Sequence, residues 1–250
     1  VTGKTMTDAT GESRLSLPKT VILIPAFNES AVIAEVIADI RSHCDCPVLV
    51  IDDASTDATI ALARQAGATV IPLPAQLGAW GATQTGLRYA RRHGYDMAVT
   101  MDADGQHEAS ALRALLEPVT RGNADVAIGA CTQRGSTLRK IAWSLMKKTS
   151  GLTLEDLTSG FRAYNRKAID ELAGWQATLL DYQDIGVLLL LQSKGISIVD
   201  VGVPMQARRH GKSRVFHSWL MVIYYMCHTL LLGFSKRKMA GRYRPTGVLD

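Results

Sequence analysis

The chain has 250 residues, of which 47% are hydrophobic and 20% are charged. This composition is sufficient for a buried core and excludes a largely disordered chain. The net charge of +5 favours phosphate groups or an anionic membrane surface as partners, and no DNA- or RNA-binding motif accompanies it, so nucleic acid is not an expected partner.

The N-terminal residues 1–18 lack the apolar core of a signal peptide and are predicted to form a flexible lead-in. The four cysteines do not form a zinc-binding pattern. Cys44 and Cys46 are separated by one residue, a spacing that we expect to be too short for a disulfide. This cysteine usage favours a reduced chain in the cytosol.

Residues 19–130 alternate apolar, β-branched runs with segments of helical periodicity. The alternation predicts an α/β fold with a mostly parallel, Rossmann-like sheet covered by helices. In such a sheet the ligand crevice lies beyond the carboxyl ends of the strands. The predicted strands are 20–27, 47–53, 68–73, 96–102 and 124–130, and the predicted helices are 32–40, 57–67, 81–93 and 109–121.

The second half of the chain has a less regular pattern. Residues 134–150 are basic and are predicted to be partly helical. Residues 157–172 are predicted to form a turn that enters a helix. Residues 181–195 have the pattern of an apolar helix ending at a glycine, and residues 196–208 alternate as a strand.

Residues 215–234 contain no Lys, Arg, Asp or Glu and match a membrane-spanning helix in length. On a helical wheel, however, polar residues such as His217, Tyr224 and His228 gather on one side, and a basic sequence follows at 236–238. This pattern favours an amphipathic helix in the cytoplasmic membrane interface. The alternatives are a helix packed on the protein's own core or in a homodimer contact, and a spanning helix. The predicted divisions are therefore 1–18, 19–214 and 215–250.

Two carboxylates one residue apart, Asp102 and Asp104, follow the apolar run that ends at Met101. Like charges at the end of a buried strand repel each other unless a cation lies between them. An EF-hand calcium loop requires Gly at its sixth position and Glu at its twelfth, where this chain has His107 and Arg113. The pattern favours Mg²⁺ or Mn²⁺, which take one or two carboxylates together with phosphate oxygens and water.

Five motifs occur in a fixed order along the chain: ILIPAFNE at 22–29, VIDDASTDAT at 50–59, TMDADGQH at 100–107, TSGFRAY at 158–164 and RRHGKSR at 208–214. In order and spacing they resemble the family-two glycosyltransferases, and most closely the dolichol- and undecaprenyl-phosphate sugar transferases. The resemblance implies a GT-A fold, a nucleotide-sugar donor and inversion by a single displacement.

The same resemblance implies which residues bind the donor. Asp53 matches the acid that recognises the nucleoside, with Asp52 beside it, and Asp102 lies near the nucleoside and diphosphate. The implied nucleotide-sugar-binding residues are Pro25, Phe27, Asn28, Glu29, Asp52, Asp53, Asp102, Ser159 and Arg214.

The resemblance also implies a metal site and catalytic cations. Asp104 and Gln106 match the metal-binding positions, with Asp102 as a further candidate ligand for Mg²⁺ or Mn²⁺. Arg162 matches a position near the transferred sugar and phosphate. Arg208 belongs to a basic motif that stabilises the phosphates of the leaving group.

The nature of the acceptor decides whether a general base is required. A lipid phosphate is already an anion at neutral pH, whereas a hydroxyl group must lose a proton. Asp181 and Asp184 are the candidate catalytic bases for a hydroxyl acceptor. Alternatively, these two acids cap the apolar helix that follows them.

These patterns favour an enzyme that transfers a sugar from a UDP- or GDP-sugar to a polyprenyl phosphate, peripherally bound at the cytoplasmic face of the cell membrane. Transfer to a hydroxyl of a glycan or glycolipid in cell-envelope polysaccharide synthesis is the alternative within the class. A nucleotidyltransferase requires a Gly-rich loop after the first strand, where this chain has PAFNES. A non-catalytic membrane-docking module is the remaining alternative, but it does not require the Asp-x-Asp pair.

Overall fold

The structure is a computed structural model that describes residues 18–130, 159–180 and 185–206, together with two short strands nearer the N-terminus. Within these ranges a seven-stranded sheet forms the centre of the fold. A separate antiparallel ribbon pairs β1 (Met6–Thr7) with β2 (Ser13–Arg14). The strands of the central sheet are β3 (Thr20–Ala26), β4 (Val48–Asp52), β5 (Thr69–Pro72), β6 (Met97–Thr100), β7 (Val126–Ala130), β8 (Arg162–Asn165) and β9 (Ile198–Gly202).

The strand order in this sheet is β5-β4-β3-β6-β8-β7-β9. Each neighbouring pair is parallel except the two pairs of β8, which runs antiparallel to both β6 and β7. The predicted α/β fold with a mostly parallel sheet is therefore confirmed. The chain leaves β3 towards β4 on one side, while β6 lies on the other, so the strand order reverses between β3 and β6.

Helices cover both faces of the sheet, as the amphipathic patterns predict. Alternate strand residues face opposite layers, so Leu23 contributes to one hydrophobic cluster while Ile22 and Ile24 contribute to the other. The first layer contains α3 (Gly78–Arg92), α5 (Arg166–Leu172), α6 (Trp175–Thr178) and α7 (Ile185–Ser193), and the second contains α1 (Ile33–His43), α2 (Thr59–Gln65) and α4 (Leu112–Thr120).

The prediction of a turn before the helix in residues 157–172 is wrong for four residues, which form β8. The strand is short and begins with Arg162, a charged residue that is typical of an exposed turn. In the structure this side chain is fully buried, and its Nε donates a hydrogen bond to the carbonyl of Ser159 over 2.7 Å. The strand predicted at 196–208 is also shorter in the structure and ends at Gly202.

The expectation that Cys44 and Cys46 are too close for a disulfide is wrong as well. The two residues form a disulfide bond, with their Cα atoms 5.2 Å apart. Cys44 lies just after α1 in an extended conformation, and this places the two Cα atoms within the range of roughly 4.4–6.8 Å in which disulfides form. This pair is therefore not reduced.

Long side chains of α3 hold the segment that follows α5. Trp80 Nε1 donates to the carbonyl of Ala177 over 2.8 Å, and Gln84 Nε2 donates to the carbonyls of Leu172 and Gly174. Since Trp80 and Gln84 are about one helical turn apart, they fix this segment along the N-terminal half of α3. The segment thereby runs towards the carboxyl edge of the sheet, where α3 begins.

At the amino edge of the sheet, Asp125 connects three elements. Its carboxylate accepts hydrogen bonds from Asn165 Nδ2 at 2.8 Å, from Ser197 N at 2.8 Å and from Ser197 Oγ at 2.9 Å, and Lys167 Nζ lies at 3.5 Å. Burial raises the pKa of Asp125, but these hydrogen bonds and the nearby lysine outweigh it, so the pKa is lowered overall. Asp125 therefore joins β7, β8 and the start of β9.

None of the helices in the described ranges combines the length and the hydropathy that crossing a membrane requires. The predicted amphipathic helix at 215–234 and the basic segment 134–150 lie outside the described residues. The divisions at 1–18, 19–214 and 215–250 stay predictions.

Candidate active site

The acidic strand ends meet at one edge of the sheet, as predicted. β3 pairs in parallel with β4 through Ala26 and Asp52, and with β6 through Leu23 and Thr100. Pairing with β6 therefore stops before Pro25, which has no N–H to contribute to a ladder. The loops that follow β3, β4 and β6 therefore begin at the carboxyl ends of neighbouring strands, where ligands bind in open α/β sheets.

The loop after β3 is held by the loop after β4. Asn28 N donates to Ser55 Oγ at 2.8 Å, and its side-chain Oδ1 accepts from Thr56 N at 2.7 Å. Glu29 N donates to Thr59 Oγ1 at 2.9 Å. Asn28 has a φ of 52°, a left-handed conformation that asparagine tolerates better than most residues. The predicted donor-binding loop is therefore fixed by hydroxyl groups from the neighbouring loop.

Asp57 adds to this connection between the two loops. Its carboxylate accepts hydrogen bonds from Ser30 N at 3.2 Å and from both the amide and the hydroxyl of Thr59. Burial raises the pKa of Asp57, but these hydrogen bonds outweigh burial and lower the pKa to about 2. Asp57 is thus a structural carboxylate beside the candidate site.

The two adjacent acids Asp52 and Asp53 are both buried, but they differ in their hydrogen bonds. Both oxygens of Asp53 accept from backbone amides, those of Leu77 at 2.6 Å and Gly78 at 2.9 Å, at the beginning of α3. Asp52 Oδ2 accepts from Ser55 N at 3.0 Å, whereas Oδ1 is buried and has no hydrogen-bond partner among the described residues. Asp52 therefore retains an acceptor for a ligand.

The Asp-x-Asp pair lies in the loop that follows β6. Asp104 Oδ1 accepts from Gln106 N at 3.1 Å, so this carboxylate shapes the turn in which it lies. Asp102 Oδ2 lies 3.0 Å from Nε2 of His107, whose side chain is fully buried. Gln206 N donates to the carbonyl of Gln106 over 2.8 Å, which attaches the end of the described chain to this loop.

The turn before β8 packs directly against Asp102. A Cβ atom at Gly160 would lie only 2.3 Å from Asp102 Oδ1, so no side chain fits at this position without displacing the carboxylate. The carbonyl of Gly160 accepts from Thr100 Oγ1 at 2.7 Å, and the carbonyl of Ser159 accepts from Arg162. Ser159 and Arg162, both predicted as site residues, are thus buried beside the crevice.

The residues after β6 fit a hard divalent cation. Asp102, Asp104 and Gln106 offer the oxygen ligands that Mg²⁺ and Mn²⁺ prefer, and these ions need only one or two carboxylates from the protein. Across the described ranges there is no group of three or more His, Cys, Asp or Glu residues arranged to hold a metal ion. A metal at this turn therefore requires ligands such as phosphate or water in addition to the protein.

Four predicted site residues lie outside the described residues: Asp181, Asp184, Arg208 and Arg214. A cleft of about 360 Å³ opens on the α1 side of the loop after β6. None of the predicted site residues lines it, although His107 does.

Several residues of the site were not predicted individually. Ser55, Thr56 and Thr59 belong to the motif at 50–59. A run of Ser, Thr and Asp after a strand indicates a loop whose side chains bind backbone amides. His107 and Gly160 also lie within quoted motifs, but no pattern in the sequence indicates that both contact Asp102.

The chain belongs to glycosyl transferase family 2, whose family model matches residues 21–173. This range contains the loops after β3, β4 and β6 and the turn before β8. The chain is therefore a glycosyltransferase with a GT-A fold, as the resemblance of its motifs implied.

Two relatives extend over most of the chain. Polyprenol monophosphomannose synthase of Mycolicibacterium smegmatis is 31% identical over 218 residues, which cover 79% of this chain and 81% of the relative. Undecaprenyl-phosphate mannosyltransferase of Micrococcus luteus is 32% identical over 216 residues, which cover 79% of this chain and 87% of the relative.

Among solved structures, glucosyl-3-phosphoglycerate synthase from Mycobacterium tuberculosis, in complex with Mn²⁺, UDP and glucosyl-3-phosphoglycerate, has the same fold. The TM-score is 0.66 at 20% sequence identity, over 89% of this chain and 80% of that one.

Proposed function

We propose that this glycosyltransferase transfers a sugar from a nucleotide-sugar donor to a polyprenyl phosphate, with inversion at the anomeric carbon and with the help of a divalent metal. The observation that carries the proposal is the convergence of Asp52, Asp102 and Asp104 on the carboxyl edge of β4 and β6. Two relatives about one-third identical over most of the chain are named for polyprenol or undecaprenyl phosphate, which supports this class of acceptor.

The donor is bound, in this proposal, at the crevice between β3 and β6. The buried oxygen of Asp52 accepts a hydrogen bond from the N–H of the base or from a ribose hydroxyl, because such a donor satisfies an otherwise unpaired carboxylate oxygen. Pro25, Phe27, Asn28 and Glu29 form the adjacent wall of the nucleoside site. Asp53 holds the beginning of α3 in place through the amides of Leu77 and Gly78, and thereby supports the same wall.

Asp104 and Gln106, with Asp102, are the residues that would hold Mg²⁺ or Mn²⁺. When bound, the metal supplies positive charge that neutralises the diphosphate of the donor. The solved structure with the same fold contains Mn²⁺ and UDP, which supports the choice of these ions. Arg208 and Arg214 are proposed to add further positive charge beside the leaving diphosphate.

The reaction is a single displacement at the anomeric carbon. An oxygen of the lipid phosphate forms the new bond to this carbon, while the bond to the nucleoside diphosphate breaks and its electron pair leaves with the diphosphate. Because the attacking phosphate is an anion, no proton has to be removed. Asp181 and Asp184 are therefore needed as bases only for a hydroxyl acceptor.

A lipid acceptor requires the crevice to approach a membrane surface. We propose that residues 215–234 lie in the cytoplasmic membrane interface and that the basic residues after them bind anionic headgroups. The protein is then peripheral at the inner face of the cell membrane. A homodimer contact through the same segment is the competing outcome, which cosedimentation with anionic vesicles and measurement of the oligomeric state distinguish.

The test is to incubate the full chain with Mn²⁺ and a panel of UDP- and GDP-sugars, with and without polyprenyl phosphate. We expect one donor to be consumed with formation of a lipid-linked sugar of inverted anomeric configuration, as NMR of the product reports. Transfer only to hydroxyl acceptors would contradict the lipid-phosphate proposal, and full activity in a chelator would contradict the metal. No turnover of any donor would contradict the proposed reaction altogether.

A further inference from the structure

The carboxylate of Asp102 is held on two sides by groups that the proposed reaction does not use. His107 Nε2 lies 3.0 Å from its Oδ2, and its Oδ1 fills the space that a Cβ atom at Gly160 would occupy. The Asp102 side chain is 44% exposed, so a half-exposed acid is restrained from within the protein.

The surroundings of His107 define how its ring acts. Nε2 faces a carboxylate oxygen, so this nitrogen carries the proton and donates it in the hydrogen bond. The other ring nitrogen, Nδ1, is buried and has no hydrogen-bond partner among the described residues. An unpaired N–H at Nδ1 would be costly in this position, so the arrangement favours the tautomer that carries its proton on Nε2.

The ring of His107 is itself fixed. It stacks on Phe161 with the ring centroids 5.0 Å apart, and the backbone of His107 forms a β-bridge with Met205. Phe161 is fully buried and follows Gly160 directly, so both contacts on this side come from one turn.

The turn that contains Ser159, Gly160 and Phe161 is anchored to the sheet. Thr100 Oγ1 binds the carbonyl of Gly160, Arg162 Nε binds the carbonyl of Ser159, and Gly129 N donates to the carbonyl of Phe161 over 2.8 Å. The buried Arg162 thus helps to hold the turn that packs against Asp102.

We propose that His107 is a positioning residue for the donor site: together with Gly160 it holds Asp102 in the orientation that binds the nucleotide and metal. The proposal rests on the proposed role of Asp102 in the donor site. Loss of either contact would leave this half-exposed aspartate less restrained, and a smaller fraction of the molecules would present the carboxylate to the ligand. Residues that orient metal-binding side chains typically affect affinity or activity by about 10–100-fold.

The first test compares His107→Ala with His107→Gln, because the amide nitrogen of glutamine replaces Nε2 as a donor. We expect His107→Ala to weaken binding of Mn²⁺ with UDP or GDP by about 10–100-fold in calorimetry and to reduce kcat/KM to a similar extent. His107→Gln should restore most of this loss. His93→Ala, in a histidine at the far end of α3, is the matched control and should bind as the wild type does.

Equal losses in both variants at unchanged thermal stability would overturn the positioning role, and so would wild-type binding by His107→Ala. Gly160→Ala is the second variant, in case the histidine variants do not fold. Its Cβ should displace Asp102 and weaken binding, while wild-type binding by this variant would contradict the arrangement.

A spectroscopic readout does not depend on the reaction. In ¹⁵N-labelled protein, at a pH where imidazoles are neutral, His107 should show a protonated Nε2 and an unprotonated Nδ1, and Asp102→Ala should change its Nε2 signal. A ring protonated on Nδ1 would overturn the proposal. If no donor is turned over, the proposed function fails, whereas this measurement still reports whether His107 donates to Asp102.

Discussion

The two edges of the central sheet use buried or half-buried aspartates in opposite ways. At the amino edge, Asp125 accepts three hydrogen bonds and lies near a lysine, all within the protein. At the carboxyl edge, Asp52 is more deeply buried but keeps one oxygen without a partner among the described residues. An unpaired buried acceptor reduces stability, so its presence is more easily explained by a ligand than by folding.

The comparison also applies within a single pair of neighbours. Asp53 follows Asp52 directly, yet both of its oxygens bind the amides at the start of α3, where the helix dipole favours a negative charge. Asp53 therefore resembles Asp125 in its use, although it lies at the same edge as Asp52. Position at the functional edge does not by itself make an acid a ligand-binding residue, and the hydrogen bonds of each carboxylate decide.

The largest effect is expected at the carboxyl edge from Asp104→Ala. Removal of a proposed metal-binding carboxylate should reduce kcat/KM by about 10³-fold, because charge on the leaving diphosphate is less well stabilised. Steady-state transfer assays across a range of Mn²⁺ concentrations measure this effect. Full activity of Asp104→Ala at limiting Mn²⁺ would show that the metal site is elsewhere.

The variants Asp52→Asn and Asp53→Asn distinguish an acid that binds a ligand from an acid that stabilises the fold at the same edge. Asp52→Asn should weaken binding of the nucleotide by about 10-fold or more and leave the free energy of unfolding within about 1 kcal/mol of the wild type. Asp53→Asn should lower the free energy of unfolding by about 1–3 kcal/mol, since one of two charge-assisted bonds to α3 is lost. Calorimetry with UDP and GDP and urea unfolding provide both values. The reverse pattern would exchange the two roles.

At the amino edge, Asp125→Asn should destabilise the fold by about 2 kcal/mol and leave kcat/KM unchanged. The pKa of Asp125 is lowered in the folded state, so its contribution is present above the pKa of the unfolded chain and is lost as the pH falls through the folded pKa. Urea unfolding at neutral and acidic pH should therefore show a smaller difference between wild type and variant in acid. A difference that grows in acid would contradict this assignment.

The smallest effect is expected from Asp57→Asn, in the exposed loop that supports the donor wall. The carboxyl titrates near 3.8 without these interactions and at about 2 in the folded protein, so its stabilising effect is complete above pH about 3.8 and disappears as the pH falls through about 2. The free energy of unfolding should therefore fall less steeply in acid for the variant than for the wild type. Identical unfolding profiles from pH 5 to pH 2 would show that Asp57 does not support the loop.

Much of the fold could be predicted because its strands are buried on both faces and read as apolar runs. Residues 20–26 and 48–52 are examples, since almost every position is buried. β8 was missed because a four-residue strand beginning with Arg162 has too few residues for a period to emerge. The disulfide between Cys44 and Cys46 was missed because the backbone path after α1 decides whether it can form.

The sequence by itself determined the α/β fold, the family and the acids that follow β4 and β6, because apolar periodicity and motifs are properties of neighbouring residues in the chain. Only the tertiary structure decided which of those acids is already satisfied. Asp53 is satisfied by the amide of Leu77, 24 residues away, and Asp102 is restrained by Gly160 from a distant turn. Such contacts join residues that are far apart in the sequence, so a local sequence pattern does not predict them.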